Sequence, residues 1–211
     1  MRGFFYVVSR DYGFAPNPFG GLCTLATCKP RIRKAAKIGD WVFGIGSRKK
    51  PDLRFMCVYA MLVEEILSFN DYWNDPKYQF KKPSTNGSRK SMWGDNIYYQ
   101  SSDGVWNQAD SHHSLEDGHV NDRNLEQDTA LTDRVLISSH FYYFGKSLVL
   151  VPSEYTVGIT QKTNGEGNYF REMSRKIPES QVQSIVTWIL SNYAPGYHDD
   201  PAGFEKHKLN L

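Results

Sequence analysis

A basic segment that runs into a Gly-Asp turn and then an apolar strand places the strongest constraint on the fold. Residues 37–47 read Lys-Ile-Gly-Asp-Trp-Val-Phe-Gly-Ile-Gly-Ser. Gly39 permits positive φ and Asp40 can accept hydrogen bonds from nearby backbone, so the first four residues predict a tight turn. The next residues alternate with the period of a strand and end in bare glycines, beside which a ligand can approach closely. We therefore expect a core built around this strand.

Further strands and helices follow from the same kind of pattern. Continuous β-rich runs predict strands, and Pro or Ser before an amphipathic run predicts a helix start. The predicted strands are 4–8, 53–66, 135–144 and 148–151, with a hairpin over 93–108; the predicted helices are 30–37, 68–78 and 179–193. Residues 79–91 and the polar stretch 109–133 read as irregular structure. The fold class predicted is α+β, a small, mostly antiparallel, barrel-like sheet with flanking helices.

The length and composition indicate one globular domain. The chain has 211 residues, of which 40% are hydrophobic and 23% charged, which is enough to bury a core. We expect a single domain over residues 1–211, with a core at 4–152 and an irregular insertion at 68–133. Residues 153–211 would form a C-terminal loop and helix packed on that core.

Charge is unevenly distributed along the chain. Residues 29–54 hold nine Lys or Arg, whereas residues 110–134 hold seven Asp or Glu, although the net charge is only +2. This asymmetry suggests a surface that faces a polyanion. The predicted nucleic-acid contacts are Arg31, Arg33, Lys34, Arg48 and Lys49. The alternative is two solvated loops of opposite sign.

Cysteine usage and the absence of targeting signals point to the cytoplasm. Cys23, Cys28 and Cys57 form no Cys-x-x-Cys pair, so we expect reduced, buried thiols; a zinc site using Cys23, Cys28 and distant histidines would need an unusual spacing. We predict no metal and no cofactor. The N-terminus lacks the pattern of a signal peptide, and no apolar run approaches the ~20 residues that span a bilayer. The expected protein is cytoplasmic, without a membrane partner.

Residues 14–21 predict a stiff loop flanked by aromatic rings. Pro16 and Pro18 fix φ, remove two donors and restrict the residues that precede them. Loops of this kind often hold a ligand against a scaffold. The alternative is a connector whose Phe14 and Phe19 rings are simply part of the core.

Several motifs together resemble a known family. These are Phe-Ala-Pro-Asn-Pro-Phe at 14–19, Cys-Thr-Leu-Ala-Thr-Cys-Lys-Pro at 23–30, Ile-Gly-Asp-Trp at 38–41, Trp-Gly-Asp-Asn-Ile-Tyr-Tyr at 93–99 and Ser-Ser-His-Phe-Tyr-Tyr-Phe-Gly at 138–145. Over residues 4–152 the chain resembles the bacterial and phage family called nucleotide modification associated domain, type 2. The resemblance implies a role in systems that modify or recognise unusual nucleotides, and it brings no settled activity.

The order strand, aromatic loop, basic helix, Gly-Asp-Trp strand is also similar to PUA-like domains of the EVE and YTH kind, whose aromatic pockets hold a modified base. Recognition of such a base needs aromatic faces for stacking and a few polar groups for the base edge. The candidate ligand-binding residues are Phe14, Asn17, Phe19, Ser47, Trp93, Asp95, Tyr98, Trp106 and Ser139. Each aromatic residue has ordinary core packing as its alternative.

Our leading hypothesis is a non-catalytic module that recognises a modified nucleotide or base in nucleic acid, in a DNA-modification or phage-defence setting. An enzyme that makes or removes such a modification is the alternative, with His140 and Asp95 as its acid–base candidates because histidine titrates near neutral pH. A protein-interaction subunit is a third possibility. His112 and His113 lie in an acidic, irregular stretch, where solvated histidines are expected. The chain has no phosphate loop or Rossmann glycine set, and the sequence predicts no oligomeric state.

Overall fold

The computed structural model describes residues 1–47, 52–157, 163–164, 167–168 and 177–204. The strands in chain order are β1 Gly3–Val8, β2 Cys23–Leu25, β3 Trp41–Gly46, β4 Met56–Leu62, β5 Glu65–Ser68, β6 Tyr98–Gln100, β7 Trp106–Gln108, β8 Arg134–Ser138, β9 Phe141–Tyr143, β10 Val149–Leu150, β11 Thr163–Asn164, β12 Gly167–Asn168 and β13 Gly196–Tyr197. The helices are α1 Pro30–Ala35, α2 Phe69–Asn74, α3 Arg89–Met92, α4 Asp122–Thr129 and α5 Glu179–Asn192, with 3₁₀ turns at Pro76–Lys81 and Ser153–Tyr155. The fold is α+β.

Two sheets carry the core. The main sheet has the order β1-β3-β4-β9-β13, with β10 added to β4. Its outer pairs, β1–β3 and β9–β13, are parallel, and its inner pairs are antiparallel. The second sheet has the order β2-β8-β5 and is antiparallel throughout. A separate hairpin joins β6 and β7.

The period-two alternation of the strands produces three stacked apolar layers. In β3, the side chains of Trp41, Phe43 and Ile45 pack toward α5, whereas Val42 packs on the opposite face toward the second sheet. In β8, Leu136 belongs to that middle layer, while the residues on either side of it enter a third, aromatic-rich layer. The main sheet is therefore covered on both faces, as its nearly continuous apolar strands require.

The predicted turn before β3 and the predicted C-terminal helix are both confirmed. Gly39 adopts φ +88°, which a residue with a side chain rarely takes. The Asp40 carboxylate accepts the backbone N–H of Lys37 at 2.9 Å and the N–H of Arg2 at 2.9 Å, which closes the turn and fixes the start of β3. Helix α5 buries Val182, Ile185, Val186 and Ile189 on one face, as its spacing predicts.

The barrel-like sheet was a wrong prediction, because two expected long strands break. The run predicted as 53–66 divides into β4 and β5, and the run predicted as 135–144 divides into β8 and β9. In each case one half joins the main sheet and the other half joins the second sheet. Among the described residues, the main sheet stays open, with β1 and β13 at its edges.

The insertion contains more regular structure than its polarity suggests. The hairpin and a helix capped by Ser68 are confirmed. The stretch 109–133, predicted as irregular, contains α4. The stretch 79–91 contains the end of a 3₁₀ turn and most of α3. In the part of the chain that the structure describes, no helix has the length and apolar character needed to cross a membrane.

Candidate functional site

A cleft with a volume of about 320 Å³ opens at one end of the second sheet. It is lined by Pro18, Phe19, Gly20, Gly21, Lys90, Ser139, Phe141, Pro195, Gly196 and Tyr197, and we call it the Tyr197 cleft. Its volume lies at the low end of the ~300–1,000 Å³ range that is usual for small-molecule sites. Two predicted ligand-binding residues, Phe19 and Ser139, are brought together here. The cleft combines aromatic faces, bare glycine backbone, the Lys90 cation and the hydroxyls of Ser139 and Tyr197.

The Tyr197 ring is held in a fixed orientation. Its hydroxyl donates a hydrogen bond to Asp200 Oδ1 at 2.6 Å, and its ring stacks on the buried Tyr143 ring with centroids 5.5 Å apart and an interplanar angle of 9°. Because Tyr143 occupies one face, the exposed Lys90 side chain lies on the other, with Nζ 4.5 Å from the ring centroid. Burial raises the pKa of Tyr197, and the adjacent Asp200 raises it further, so the phenol stays neutral.

The Ser139 wall of the cleft depends on Glu64. The Glu64 carboxylate accepts the Ser139 backbone N–H at 2.5 Å, the Ser139 hydroxyl at 2.8 Å and the His140 N–H at 2.9 Å. Partial burial raises the pKa of Glu64, but these three donors outweigh it and the net pKa is lowered. Glu64 lies between β4 and β5, and residues 139–140 lie between β8 and β9, so a single carboxylate joins the two strand breaks.

Two glycines that line the Tyr197 cleft, Gly20 and Gly21, are required by their backbone conformation. Gly20 and Gly21 have φ of +70° and +78°. A side chain at Gly20 would collide with the Phe80 ring. The pair therefore leaves the start of β2 bare, and backbone groups can approach a ligand there.

The other predicted polar residues form a buried network behind the cleft. Lys81 Nζ donates to Asn17 Oδ1 at 2.6 Å, to the Asn17 carbonyl at 3.0 Å and to the Leu22 carbonyl at 2.8 Å. Asp95 accepts the Thr24 hydroxyl at 2.7 Å and the Tyr72 hydroxyl at 2.9 Å. Asn17 and Asp95 are 1% and 0% exposed. Asn17 therefore fixes the proline loop to the insertion, and Asp95 fixes β2 to it.

Burial sets the charge state of this network. It lowers the pKa of Lys81 to about 8, and the nearby Asp95 carboxylate opposes that change. It raises the pKa of Asp95, and the Lys81 ammonium opposes that change in turn.

Most of the predicted aromatic ligand residues belong to the third layer. Phe14, Trp93 and Tyr98 are buried, and Trp106 packs at the edge of the layer against Phe69. For these four residues the structure supports the core alternative. Ser47 is also buried, at the end of β3.

The two acid–base candidates lie in different surroundings. Asp95 is bonded to Thr24 and Tyr72, as above, whereas His140 Nε2 lies 3.1 Å from the Tyr142 hydroxyl and its ring packs edge-on against Trp41. The structure does not bring Asp95 and His140 together.

The predicted nucleic-acid residues divide by exposure. Arg31 and Lys34 are exposed on α1. Arg33 is not a surface residue: it is 0% exposed, and its guanidinium donates to the carbonyls of Cys28 at 2.9 Å, Arg134 at 2.9 Å and Asp128 at 2.6 Å. Arg48 and Lys49 lie outside the described residues.

Sequence reasoning missed Lys90, Tyr197 and Glu64 as parts of the cleft. Lys90 comes from a polar stretch and Tyr197 from a two-residue strand after α5, so neither carries a periodic signal. A charged residue at the end of an apolar strand, as with Glu64 after Val63, is the one clue that the sequence offered. Within the described residues, no group of three or more His, Cys, Asp or Glu side chains is arranged to hold a metal ion.

Comparisons with known proteins identify the family. A search of curated proteins and a search of solved structures each found no match. The family described as Nucleotide modification associated domain 2 matches residues 1–208, which is nearly the whole chain. It extends the resemblance seen in residues 4–152 through α5 and β13, and so includes Tyr197 and the rest of the cleft. The chain belongs to the nucleotide modification associated domain 2 family.

Proposed function

We propose that this protein binds a modified nucleotide within nucleic acid, with the base held in the Tyr197 cleft. The observation that carries the proposal is the Tyr197 ring, fixed by Tyr143 and Asp200, with the exposed Lys90 ammonium over its other face. The family membership supplies the nucleotide context. An unpaired base is recognised by stacking on such a ring and by hydrogen bonds to its edge. In this cleft the base would take the face of Tyr197 that the exposed Lys90 side chain now covers, and the displaced ammonium would contact the nucleotide phosphate.

The remaining walls suit the edge of a base. The Ser139 hydroxyl and the backbone beside Gly20 and Gly21 are polar groups at the rim, and the buried Phe141 supplies an apolar wall. A substituent on the base would lie among these groups. This composition supports binding rather than chemistry, since none of the lining side chains forms a nucleophile–base pair.

The nucleic-acid backbone would contact α1. Gly21 precedes β2 and α1 follows it, so the cleft and the exposed Arg31 and Lys34 lie at opposite ends of this three-residue strand. Three strand residues span about 10 Å. A nucleic acid with one base in the cleft would then contact these cations through neighbouring phosphates.

The proposal is tested by binding of fluorescent single strands and duplexes that carry either an unmodified base or one of several modified bases, at two salt concentrations. We expect tighter binding to one modified base and weaker binding at high salt. The Tyr197→Leu variant should lose about 5- to 150-fold in affinity, the equivalent of one stacked base. The Lys90→Ala variant should weaken binding as well.

Arg123→Ala is the matched control, because Arg123 is an exposed cation on α4, away from the cleft lining. The Arg31→Ala variant should weaken binding to all sequences equally. It should also reduce the slope of log affinity against log salt concentration by about 1. Equal affinity for modified and unmodified strands, or unchanged binding by Tyr197→Leu, would refute base recognition in this cleft.

A further inference from the structure

One cluster of reactive side chains lies outside the Tyr197 cleft. Cys28 Sγ is 3.7 Å from His113 Nε2, and His113 Nδ1 is 3.1 Å from Asp128 Oδ2. A thiol, an imidazole and a carboxylate in this order are the parts of a nucleophile, its base and the group that orients the base. The three residues come from separate segments: the turn before α1, the loop after β7 and α4.

The carboxylate is held rigidly. Asp128 is 0% exposed; its Oδ1 accepts the Cys28 backbone N–H at 2.7 Å, and its Oδ2 accepts the Tyr98 hydroxyl at 3.0 Å. Arg33 Nη2 lies 3.8 Å from Oδ1. With an acceptor at Nδ1, the imidazole carries its proton there when neutral, which leaves the Nε2 lone pair facing the thiol.

The surroundings of His113 favour its charged form. The titratable groups that face it are Cys28, Asp128, Tyr98 and His112, and the Phe14 ring packs on it at 4.7 Å. Burial lowers the pKa of His113, but the bonds to Asp128 and Cys28 outweigh burial and raise it to about 9. An imidazolium beside a thiol stabilises the thiolate, which is the reactive form.

The three cysteines differ in exposure. Cys28 is partly exposed, whereas Cys23 and Cys57 are both 0% exposed. Cys28 and Lys29 have φ of 56° and 42°, an uncommon left-handed pair that turns the chain sharply into α1. The exposed Arg31 lies in the first turn of α1, three residues after Cys28, and is the cation that we assign to the anionic carrier.

We propose that Cys28, His113 and Asp128 form an acyl-transfer site for an ester, thioester or amide borne on an anionic carrier. Cys28 and His113 are the catalytic residues, and Asp128 is a positioning residue. This activity goes beyond base recognition and shares no residue with the Tyr197 cleft.

The reaction balances with water as the second substrate. The Cys28 thiolate forms a bond to the carbonyl carbon, the bond from that carbon to the leaving group breaks, and His113 gives its Nε2 proton to the leaving group. Water then attacks the thioester, neutral His113 takes a proton from the water, and the thiolate departs as the carboxylic acid is released. No oxidant or reductant is needed.

The test uses the full-length protein and p-nitrophenyl acetate as the acyl donor. We expect release of nitrophenolate and an acetyl thioester on the Cys28 peptide in acid-quenched samples, with Cys23 and Cys57 unmodified as internal controls. His113→Gln should slow acylation by at least about 100-fold. His119→Gln, the same change at an exposed histidine of the same loop, should have no effect.

A second measurement is the rate of Cys28 alkylation by iodoacetamide at pH 7. The native protein should react at least about 10-fold faster than His113→Gln, because an adjacent imidazolium favours the reactive thiolate. Asp128→Asn, checked for folding by circular dichroism, should also react more slowly than the native protein. A native rate equal to that of His113→Gln, or acylation that is unchanged in His113→Gln, would overturn the proposal.

Discussion

Replacing Arg33 with methionine is expected to reduce the free energy of unfolding by about 3–5 kcal/mol, because the change breaks a buried ion pair and its hydrogen bonds. The guanidinium is 0% exposed and donates to three backbone carbonyls. A buried acceptor left without a donor costs about 1–3 kcal/mol. The summed cost of three such acceptors, reduced because methionine fills part of the space, agrees with the cost of the broken ion pair.

Urea unfolding at pH 7, followed by tryptophan fluorescence, measures the loss of free energy of unfolding. In a thermal scan of the same protein, each 1 kcal/mol moves Tm by about 2–4 °C, so the melting temperature should fall by about 6–20 °C. Arg31→Met is the matched control, since Arg31 is exposed on the same helix; its effect should stay within about 0.5 kcal/mol.

Binding to nucleic acid distinguishes the two arginines further. If Arg33→Lys remains folded, its affinity for a single strand should equal that of the native protein, whereas Arg31→Met should bind more weakly. An Arg33→Met variant that is as stable as the native protein, or a folded Arg33 variant that loses binding selectively, would refute the assignment of Arg33 to the interior.

Two further predictions concern titratable groups. Glu64→Gln should cost about 1 kcal/mol at pH 7, a value typical of a hydrogen bond and small because the carboxylate is exposed to solvent. Since the folded pKa of Glu64 is lowered, its contribution is present above the unfolded pKa and is lost as pH falls through the folded value; equal costs of Glu64→Gln at pH 7 and pH 3.5 in urea titrations would contradict this. Lys81 has a folded pKa of about 8, below its usual 10.5, so above pH 8 the unfolded chain binds the extra proton and stability rises with pH. The cost of Lys81→Met should therefore increase between pH 7.5 and 9.5, and a constant cost would show that Lys81 titrates normally.

Local sequence patterns correctly predicted the elements that depend only on neighbouring residues. The turn at Gly39, strand β3, the short helix after Pro30 and the amphipathic α5 all follow from residues within a few positions of one another. The strand breaks at 63–64 and 139–140 do not follow from local residues, because each break depends on the other. The Glu64 carboxylate accepts the backbone N–H groups of Ser139 and His140, which lie 75 and 76 positions further along the chain. This contact holds together the two places where the chain leaves one sheet for the other.

Helix α4 was missed for a related reason. It has a good N-cap, since Asn121 accepts the N–H of Asn124, but its fully buried residue is the charged Asp128. A helix that buries a carboxylate rather than an apolar stripe gives no hydrophobic periodicity. For the cleft, the proline loop and the end of β8 pointed to Phe19 and Ser139, while Lys90 and Tyr197 came from segments that only the tertiary fold brings near.

The charge asymmetry of the sequence has a more specific meaning in the structure. The basic segment 29–54 and the acidic segment 110–134 meet where α1 packs against α4, and the buried pair Arg33–Asp128 lies at that contact. Part of the positive charge is thus neutralised internally, whereas Arg31 and Lys34 stay exposed on α1. The same contact brings the Asp128 carboxylate to His113 and Cys28. Helix α1 would therefore link the two proposed sites, because Arg33 on its buried face bonds to the Cys28 carbonyl while Arg31 and Lys34 are exposed on its other face.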